Sequence, residues 1–365
     1  MNKRLLTLGL SSILAMSALT GCGASGETTG DTANTTSKFE MLDTDLKVGM
    51  VIGKGSIDDR SFNQGTWEGI TGTVKNNKYL KPAGETEADY TTEIGNLYDG
   101  GFKFILLPGY YFETALFKAQ DKYEDAKFVI LDGAPNDGQG TTVIGNNTVS
   151  ITFAEHEAGF LAGIAAAVQL KEGEFGFLGG MPLPAVERFE IGYAQGIEYA
   201  NKNFGTNVTL SEEDIVYQGT FDDKAAGQQI AAQMYDRGVD VIFTAAGGTG
   251  IGAITEAKQR VERGETAWVI GVDSDQYQDG IYNTDTQESV ILTSAIKYVD
   301  QAAHDMIVAD VDGKFPGGQS LVFSVATDGV GLPAENPNLS EETVNVVNDV
   351  YNKIKTGEIT VSETR

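Results

Sequence analysis

Short apolar runs rich in Val, Ile and Phe recur along most of the chain. Continuous runs of this kind are typical of strands that are buried on both faces of a parallel sheet. They predict strands at 47–52, 102–107, 127–131, 175–178, 241–243, 268–272 and 289–292.

Between these runs, apolar residues recur at the spacing of an amphipathic helix. One stripe joins Phe62, Trp67, Ile70 and Val74, and similar stripes start at Val186 and Ala226. Alternation of strands and helices indicates parallel sheets built from βαβ units. The strands form an early group and a later group, which predicts two α/β lobes with a ligand cleft between them.

The N-terminus has the pattern of a secretory signal peptide. Lys3 and Arg4 precede an apolar run at 5–18, which is shorter than the ~20 residues that span a bilayer. The sequence Leu-Thr-Gly-Cys at 19–22 resembles the cleavage signal of bacterial lipoproteins, so we expect residues 1–21 to be removed and Cys22 to carry lipid.

The segment that follows the expected lipid attachment site is rich in Gly, Ser, Thr, Asp and Glu. Few of these residues can pack into a core. We therefore interpret 22–45 as a flexible linker between the lipid and the folded domain.

Charge and rare residues exclude several classes of function. The chain has 26 basic and 52 acidic residues, for a net charge of −26, which disfavours nucleic-acid binding. Its one cysteine and its two histidines, His156 and His304, offer no metal-binding spacing. Neither histidine follows a strand as a triad base does, so we expect no enzyme, no metal and no cofactor.

Glycine and carboxylate residues follow several of the predicted strands. Gly53-Lys54-Gly55, Asp132, the glycine-rich stretch 245–250 and Asp273 all stand at such ends. In open α/β sheets, ligands bind just beyond the carboxyl ends of the strands. The 247–252 stretch lacks the Lys-Ser/Thr of a phosphate-binding loop, so a turn for close ligand approach is the favoured interpretation.

Four motifs together resemble the Bmp/Med family of basic-membrane-protein lipoproteins, which includes PnrA-like nucleoside receptors. These are Ile-Asp-Asp-Arg-Ser-Phe-Asn-Gln at 57–64 with Trp-Glu-Gly at 67–69, Ala-Gly-Gly-Thr-Gly at 246–250, the stretch 269–277, and Phe-Pro-Gly-Gly at 315–318. The resemblance implies a type I periplasmic-binding-protein fold, with two doubly wound lobes joined by three crossings around an interlobe ligand cleft. The expected N-terminal lobe comprises 46–149 and 295–320, and the C-terminal lobe comprises 150–294 and 321–365.

The resemblance also implies a set of ligand-binding residues. Phe62 and Phe221 match aromatic rings that stack on a nucleobase, although the pattern around Phe62 alone is equally consistent with core packing. Asp132 and Asp273 match carboxylates that accept hydrogen bonds from the ligand, and Lys297 matches a lysine that reaches the sugar. The remaining candidates are Asn63, from the first motif, and Gly247 or Gly248, for a backbone contact to ribose.

One position departs from the family pattern. Where the family often has Asp after the first strand, this chain has Gly53, followed by Lys54. That Asp helps to contact the base in the family, so the base preference stays open, with Lys54 or a water molecule as a substitute.

The expected function is that of a substrate-binding lipoprotein of an ABC importer. It would bind nucleosides, most readily purine nucleosides, as a monomer held by lipid on the extracellular face of the cell membrane, and deliver them to the permease. A sugar or autoinducer receptor of the same fold is the alternative. A secreted nucleosidase is the third hypothesis, which the absence of a catalytic set disfavours.

Overall fold

The computed structural model describes residues 38–365. The expected signal peptide and Cys22 lie outside this range. Within it, the end of the expected flexible linker packs on the folded domain, which corrects that expectation. Phe39 stacks on His304 at 4.3 Å between ring centroids, and the Leu42 amide donates to the Thr73 carbonyl at 2.9 Å.

The first lobe is built on a six-stranded parallel sheet. Its strand order is β13-β5-β4-β3-β1-β2. The strands β1, β3 and β4 are almost entirely buried, as their apolar sequences predict. The bounds are β1 Val48–Val51, β2 Asn77–Leu80, β3 Phe104–Pro108, β4 Lys127–Leu131, β5 Thr148–Phe153 and β13 Gln319–Phe323.

The second lobe has a six-stranded sheet in the order β14-β12-β9-β8-β6-β7. All its pairings are parallel except that of β12 with β14. A separate two-stranded hairpin is formed by β10 and β11. The bounds are β6 Glu172–Gly179, β7 Asn207–Tyr217, β8 Val239–Ala245, β9 Trp268–Asp273, β10 Ile281–Asn283, β11 Glu288–Ser289, β12 Ile291–Lys297 and β14 Val330–Gly331.

Helices cover the sheets. The helices α4 and α5 pack closely because glycines leave room at their crossing: a Cβ on Gly159 would lie 2.3 Å from the Phe189 carbonyl oxygen. The α-helices of the described range are α1 Phe62–Thr73, α2 Glu87–Asp99, α3 Glu113–Lys122, α4 Glu155–Leu170, α5 Pro184–Phe204, α6 Lys224–Asp236, α7 Gly248–Glu262, α8 Val299–Val311 and α9 Glu341–Lys355.

The chain passes between the two sheets three times, after β5, after β12 and after β13. The lobe boundaries expected near residues 150, 294 and 320 therefore each precede the observed passages by a few residues. The buried residues 291–297 form strand β12 of the second sheet, and helix α8 begins at Val299. The architecture is the predicted one, with two α/β lobes and parallel sheets.

Candidate ligand-binding site

A cavity of about 470 Å³ lies where the carboxyl ends of the strands of both sheets meet. This volume is within the ~300–1,000 Å³ range of small-molecule sites. Both lobes contribute side chains to its wall. Of the residues expected from the sequence, the cavity is lined by Phe62, Asn63, Asp132, Phe221, Gly247, Asp273 and Lys297.

Gly248 is the exception among the expected residues, because it does not line the cavity. It is the first residue of α7, and a Cβ built on it would lie 3.1 Å from the Phe221 carbonyl oxygen. Gly247, immediately before it, has φ +53 and exposes its backbone to the cavity. Gly247 therefore lies at the cavity, whereas Gly248 packs against the loop that contains Phe221.

Two aromatic rings, which we call the ring pair, come from opposite lobes. Phe62 is the first residue of α1, and Phe221 lies in the loop between β7 and α6. Both rings are partly buried and both line the cavity. Gly180 makes room for the second ring, because a Cβ there would lie 2.3 Å from it. Phe62 packs against the main hydrophobic core and also lines the cavity.

Two carboxylates at strand ends adopt left-handed backbone conformations. Asp132 follows β4 with φ +56, and Asp273 ends β9 with φ +62. Non-glycine residues rarely adopt such angles, and aspartate is among those that tolerate them best. Strained positions of this kind cluster at functional sites. Both turns direct a carboxylate into the cavity.

The ammonium group of Lys297, at the end of β12, lies between the two lobes. It donates to Asp132 Oδ2 of the first lobe and lies 3.2 Å from Glu155 Oε1. It also stands 4.6 Å from the centroid of the Phe62 ring. We call Asp132, Asp273 and Lys297 the carboxylate–lysine cluster.

Burial and neighbouring charges set the protonation of this cluster. Burial raises the pKa of Asp273 to about 6, although Lys297 and the Ser61 hydroxyl oppose the shift. Burial disfavours the charge on Lys297, but Asp132, Glu155 and Asp273 outweigh it and hold the lysine pKa above its usual value. Lys297 is therefore an ammonium at neutral pH, and Asp273 is largely ionised.

Hydrogen bonds join the lobes beside the cavity. The Ser61 hydroxyl donates to Asp273 Oδ2 at 2.5 Å, and Gln276 Nε2 donates to the Arg60 carbonyl at 2.9 Å. Ser61 and Arg60 precede α1 of the first lobe, whereas Asp273 and Gln276 belong to the second. The described conformation therefore has its lobes in contact around the cavity.

Asp59 organises the start of α1. Its carboxylate accepts from the amides of Ser61, Asn63 and Gln64 at 2.9–3.1 Å, which satisfies donors that a helix N-terminus leaves free. It also accepts from Asn63 Nδ2, so the Asn63 amide is fixed with Oδ1 buried and without a hydrogen-bond partner among residues 38–365. A ligand donor can satisfy this oxygen.

Several lining residues were missed by the sequence interpretation. Tyr110 and Tyr111 follow β3, and the rule that ligands bind beyond strand ends could have found them. Arg188 and Phe189 reach the cavity from α5, where the sequence shows only an amphipathic stripe. An amphipathic stripe shows which face of a helix is apolar, but it does not show which helical turn lies beside the other lobe.

Tyr111 also occupies space next to Gly53. A Cβ on Gly53 would lie 3.1 Å from the Tyr111 ring and 3.1 Å from the Pro108 carbonyl oxygen. Lys54 lines the cavity, and its Nζ pairs with Glu85 at 2.8 Å. An acidic side chain at position 53 thus has little room.

The histidines take no part in the cavity wall. His156 is buried in α4. Within residues 38–365 no group of His, Cys, Asp and Glu has an arrangement that could hold a metal ion. A search of the same range for a helix long and apolar enough to cross a bilayer finds none.

Comparisons with known proteins agree with this architecture. The profile of a family described as Bmp, ABC transporter substrate-binding protein PnrA-like, matches residues 46–365. The chain is 34% identical over 372 residues to a Lactococcus lactis subsp. cremoris protein named ABC transporter nucleoside-binding protein BmpA, with 99% of each chain covered. It is 35% identical over 377 residues to the CD4+ T-cell-stimulating antigen of Listeria monocytogenes, with 100% of this chain and 99% of the relative covered.

A solved structure shares the fold. The ABC transporter system solute-binding protein from Aeropyrum pernix K1 superposes with a TM-score of 0.73 at 25% sequence identity. The match covers 88% of this chain and 94% of that protein. The predicted fold class and the predicted family are both confirmed.

Proposed function

The chain belongs to the Bmp family of PnrA-like ABC transporter substrate-binding proteins, and we propose that its ligand is a nucleoside. The family and the fold are those of proteins that bind a ligand and present it to an ABC transporter.

The main support is that the ring pair and the carboxylate–lysine cluster line the same cavity. Aromatic faces suit a planar heterocycle, and an aromatic pair contributes about 0.5–1.5 kcal/mol beyond the area it buries. Ionised carboxylates accept hydrogen bonds from hydroxyl groups. A base linked to a sugar presents these two kinds of group in one molecule. The name of the Lactococcus relative, a nucleoside-binding protein, supports the same ligand class.

The charges of the site favour a neutral ligand. Lys297 is paired with Asp132 and lies near Glu155, and Arg188 Nε donates to Glu155 at 2.7 Å. Asp273 adds a further negative charge, and no cation of the described range forms an ion pair with it. A phosphate group would meet paired cations and an unpaired carboxylate, so nucleosides should bind in preference to nucleotides.

We also propose that Cys22 anchors the protein to the extracellular face of the cell membrane through lipid. The support is the sequence pattern of the N-terminus alone, since this segment lies outside the described residues. Mass spectrometry of the membrane-extracted protein should find diacylglyceryl-modified Cys22 at the N-terminus. Recovery of an unmodified Cys22 would exclude the anchor.

Calorimetric titration of the purified protein tests the ligand class. Guanosine, inosine, adenosine and uridine are titrated in turn, with free ribose and inosine monophosphate as comparison ligands. We expect micromolar or tighter binding of at least one nucleoside and much weaker binding of ribose and the nucleotide. Tight binding of ribose alone would instead support the sugar receptor, and release of free base during incubation with inosine would support an enzyme.

A further inference from the structure

Glu155 lies beneath the cavity without lining it. It is the first residue of α4, directly after the first passage of the chain between the lobes, and its side chain is fully buried. Its Oε2 atom accepts from Arg188 Nε at 2.7 Å, and its Oε1 atom lies 3.2 Å from Lys297 Nζ. Both of its cationic partners do line the cavity.

We propose that Glu155 is a positioning residue, which orients Lys297 and Arg188 towards the ligand and makes ligand affinity depend on its own ionisation. This inference rests on the proposed function, because it concerns how the same cavity holds its nucleoside.

Lys297 has more hydrogen-bond donors than Asp132 can use. An ammonium group has three N–H donors, and Asp132 takes one of them. The attraction of Glu155 holds the ammonium between the two carboxylates, which leaves donors for a ligand hydroxyl. Without that attraction, Lys297 is free to turn fully towards Asp132 and Asp273, the carboxylates that the ligand needs.

Arg188 depends on Glu155 in a simpler way. Its Nε atom is committed to Glu155, which fixes the plane of the guanidinium on the cavity wall. A single buried carboxylate thus aligns two cations that come from different elements, β12 and α5.

The ionisation of Glu155 falls in the physiological range. Burial raises its pKa to about 7; Lys297 and Arg188 oppose this shift, whereas Asp132 adds to it. Its Oε1 atom accepts no hydrogen bond from the part of the chain that the structure describes, which is consistent with a carboxyl group that takes up a proton readily. As the pH falls through 7, Glu155 loses its charge and its hold on the two cations.

Stability and binding should respond to pH with opposite signs. The folded-state pKa of Glu155 lies above its ordinary value of 4.5, so the folded protein binds the proton more tightly than the unfolded chain does. Its contribution to stability is therefore full below pH 4.5 and is lost as the pH rises through 7. Affinity for the ligand rises over the upper part of the same range, because the ionised form positions the cations.

The test compares Glu155→Gln with Glu157→Gln. Glu157 is also in the first turn of α4 and is partly buried, but it accepts from the Val325 amide and does not contact Lys297 or Arg188. Nucleoside affinity is measured by calorimetry at pH 6, 7 and 8, and unfolding by denaturant is measured at the same values.

We expect Glu155→Gln to bind about tenfold more weakly at pH 8, to lose the affinity change around pH 7, and to be at least as stable as the wild type. Glu157→Gln should bind like the wild type. Glu155→Asp, which keeps the charge but is one methylene shorter, should also bind weakly. Wild-type affinity in Glu155→Gln, or equal losses in both glutamine variants, would overturn the proposal.

A readout without ligand separates this proposal from the proposed function. The side-chain ammonium signal of Lys297 is followed by NMR in the free protein. We expect Glu155→Gln to shift and broaden it, and Glu157→Gln to leave it unchanged. If the wild type binds no nucleoside, the proposed function fails, whereas an unchanged Lys297 signal in Glu155→Gln refutes the positioning role.

Discussion

The ring pair and the carboxylate–lysine cluster share one cavity but are held in place by different forces. Phe62 and Phe221 are partly exposed and come from a helix start and a loop, and their rings are held mainly by packing. Asp273 and Lys297 are buried at strand ends and are fixed by hydrogen bonds and charge.

The difference indicates how each part tolerates change. Removing a ring loses contact area, and the loss scales with the area removed from water. Removing one member of a buried charged group also leaves its partner unpaired, which costs more than the contact itself contributed. Substitutions in the cluster should therefore have larger effects on binding than conservative substitutions in the ring pair.

The largest effect is expected for Asp273→Asn. The amide cannot accept from two ligand hydroxyls as a carboxylate does, and hydrogen bonds to charged groups contribute about 1.5–3 kcal/mol. Nucleoside affinity should fall about 100-fold in calorimetry. The matched control is Asp275→Asn in the same loop, which accepts from the Tyr277 amide and does not line the cavity. Similar losses in both variants would mean that the loop, rather than the Asp273 carboxylate, matters.

The next effect is that of acid on the same carboxylate. The pKa of Asp273 is raised to about 6, so its ionised form is lost as the pH falls through 6. At pH 5 about nine-tenths of the groups are protonated, and affinity should be about tenfold lower than at pH 7. The titration is run in the Glu155→Gln variant, which removes the change expected near pH 7. A flat profile from pH 7 to 5 would show that Asp273 does not accept from the ligand as an ion.

A smaller effect is expected for Phe221→Leu. Leucine keeps most of the apolar bulk but loses the aromatic face, which is equivalent to about 0.5–1.5 kcal/mol. Affinity for a nucleoside should fall about threefold to tenfold, whereas affinity for free ribose should hardly change. Phe204→Leu, at the end of α5 and away from the cavity, is the control. If Phe221→Leu lost as much affinity as Asp273→Asn, the expectation that the ring pair tolerates substitution better than the carboxylate–lysine cluster would be wrong.

The smallest effect is expected for Lys54→Met, which tests whether Lys54 contacts the nucleobase. The Lys54 ammonium lines the cavity and is paired with the exposed Glu85, so solvent screens it. Overall affinity should change about twofold. Nucleosides whose base carries a carbonyl acceptor should lose more, so the affinity for inosine should fall relative to that for adenosine. Lys118→Met, in an exposed pair with Glu87, is the control. An unchanged inosine-to-adenosine ratio would exclude Lys54 from base recognition.

Most of the fold and much of the site could be predicted from the sequence. Runs such as 127–131 predicted β4 to the residue, because a strand buried on both faces must be apolar throughout. The strand β7, Asn207–Tyr217, was missed because it lies at a sheet edge and most of its residues are polar or exposed. The carboxylates at 132 and 273 were predicted, since the ends of parallel strands meet at one edge of a sheet.

The residues that tertiary structure alone reveals are those with no local pattern. The sequence analysis singled out neither Glu155 nor Arg188, because neither follows a predicted strand or belongs to one of the four motifs. Their joint position under Lys297 depends on three chain segments that are far apart in sequence.

From the sequence by itself, the hydrophobic period and the strand ends predicted the lobes and the strand-end carboxylates, because both are local properties, whereas the two rings were expected from the family resemblance. Only the tertiary structure decided which cations the buried carboxylates pair with, where the crossings fall and which glycine faces the cavity. Those outcomes depend on distances between lobes, and a one-dimensional pattern contains no such distance.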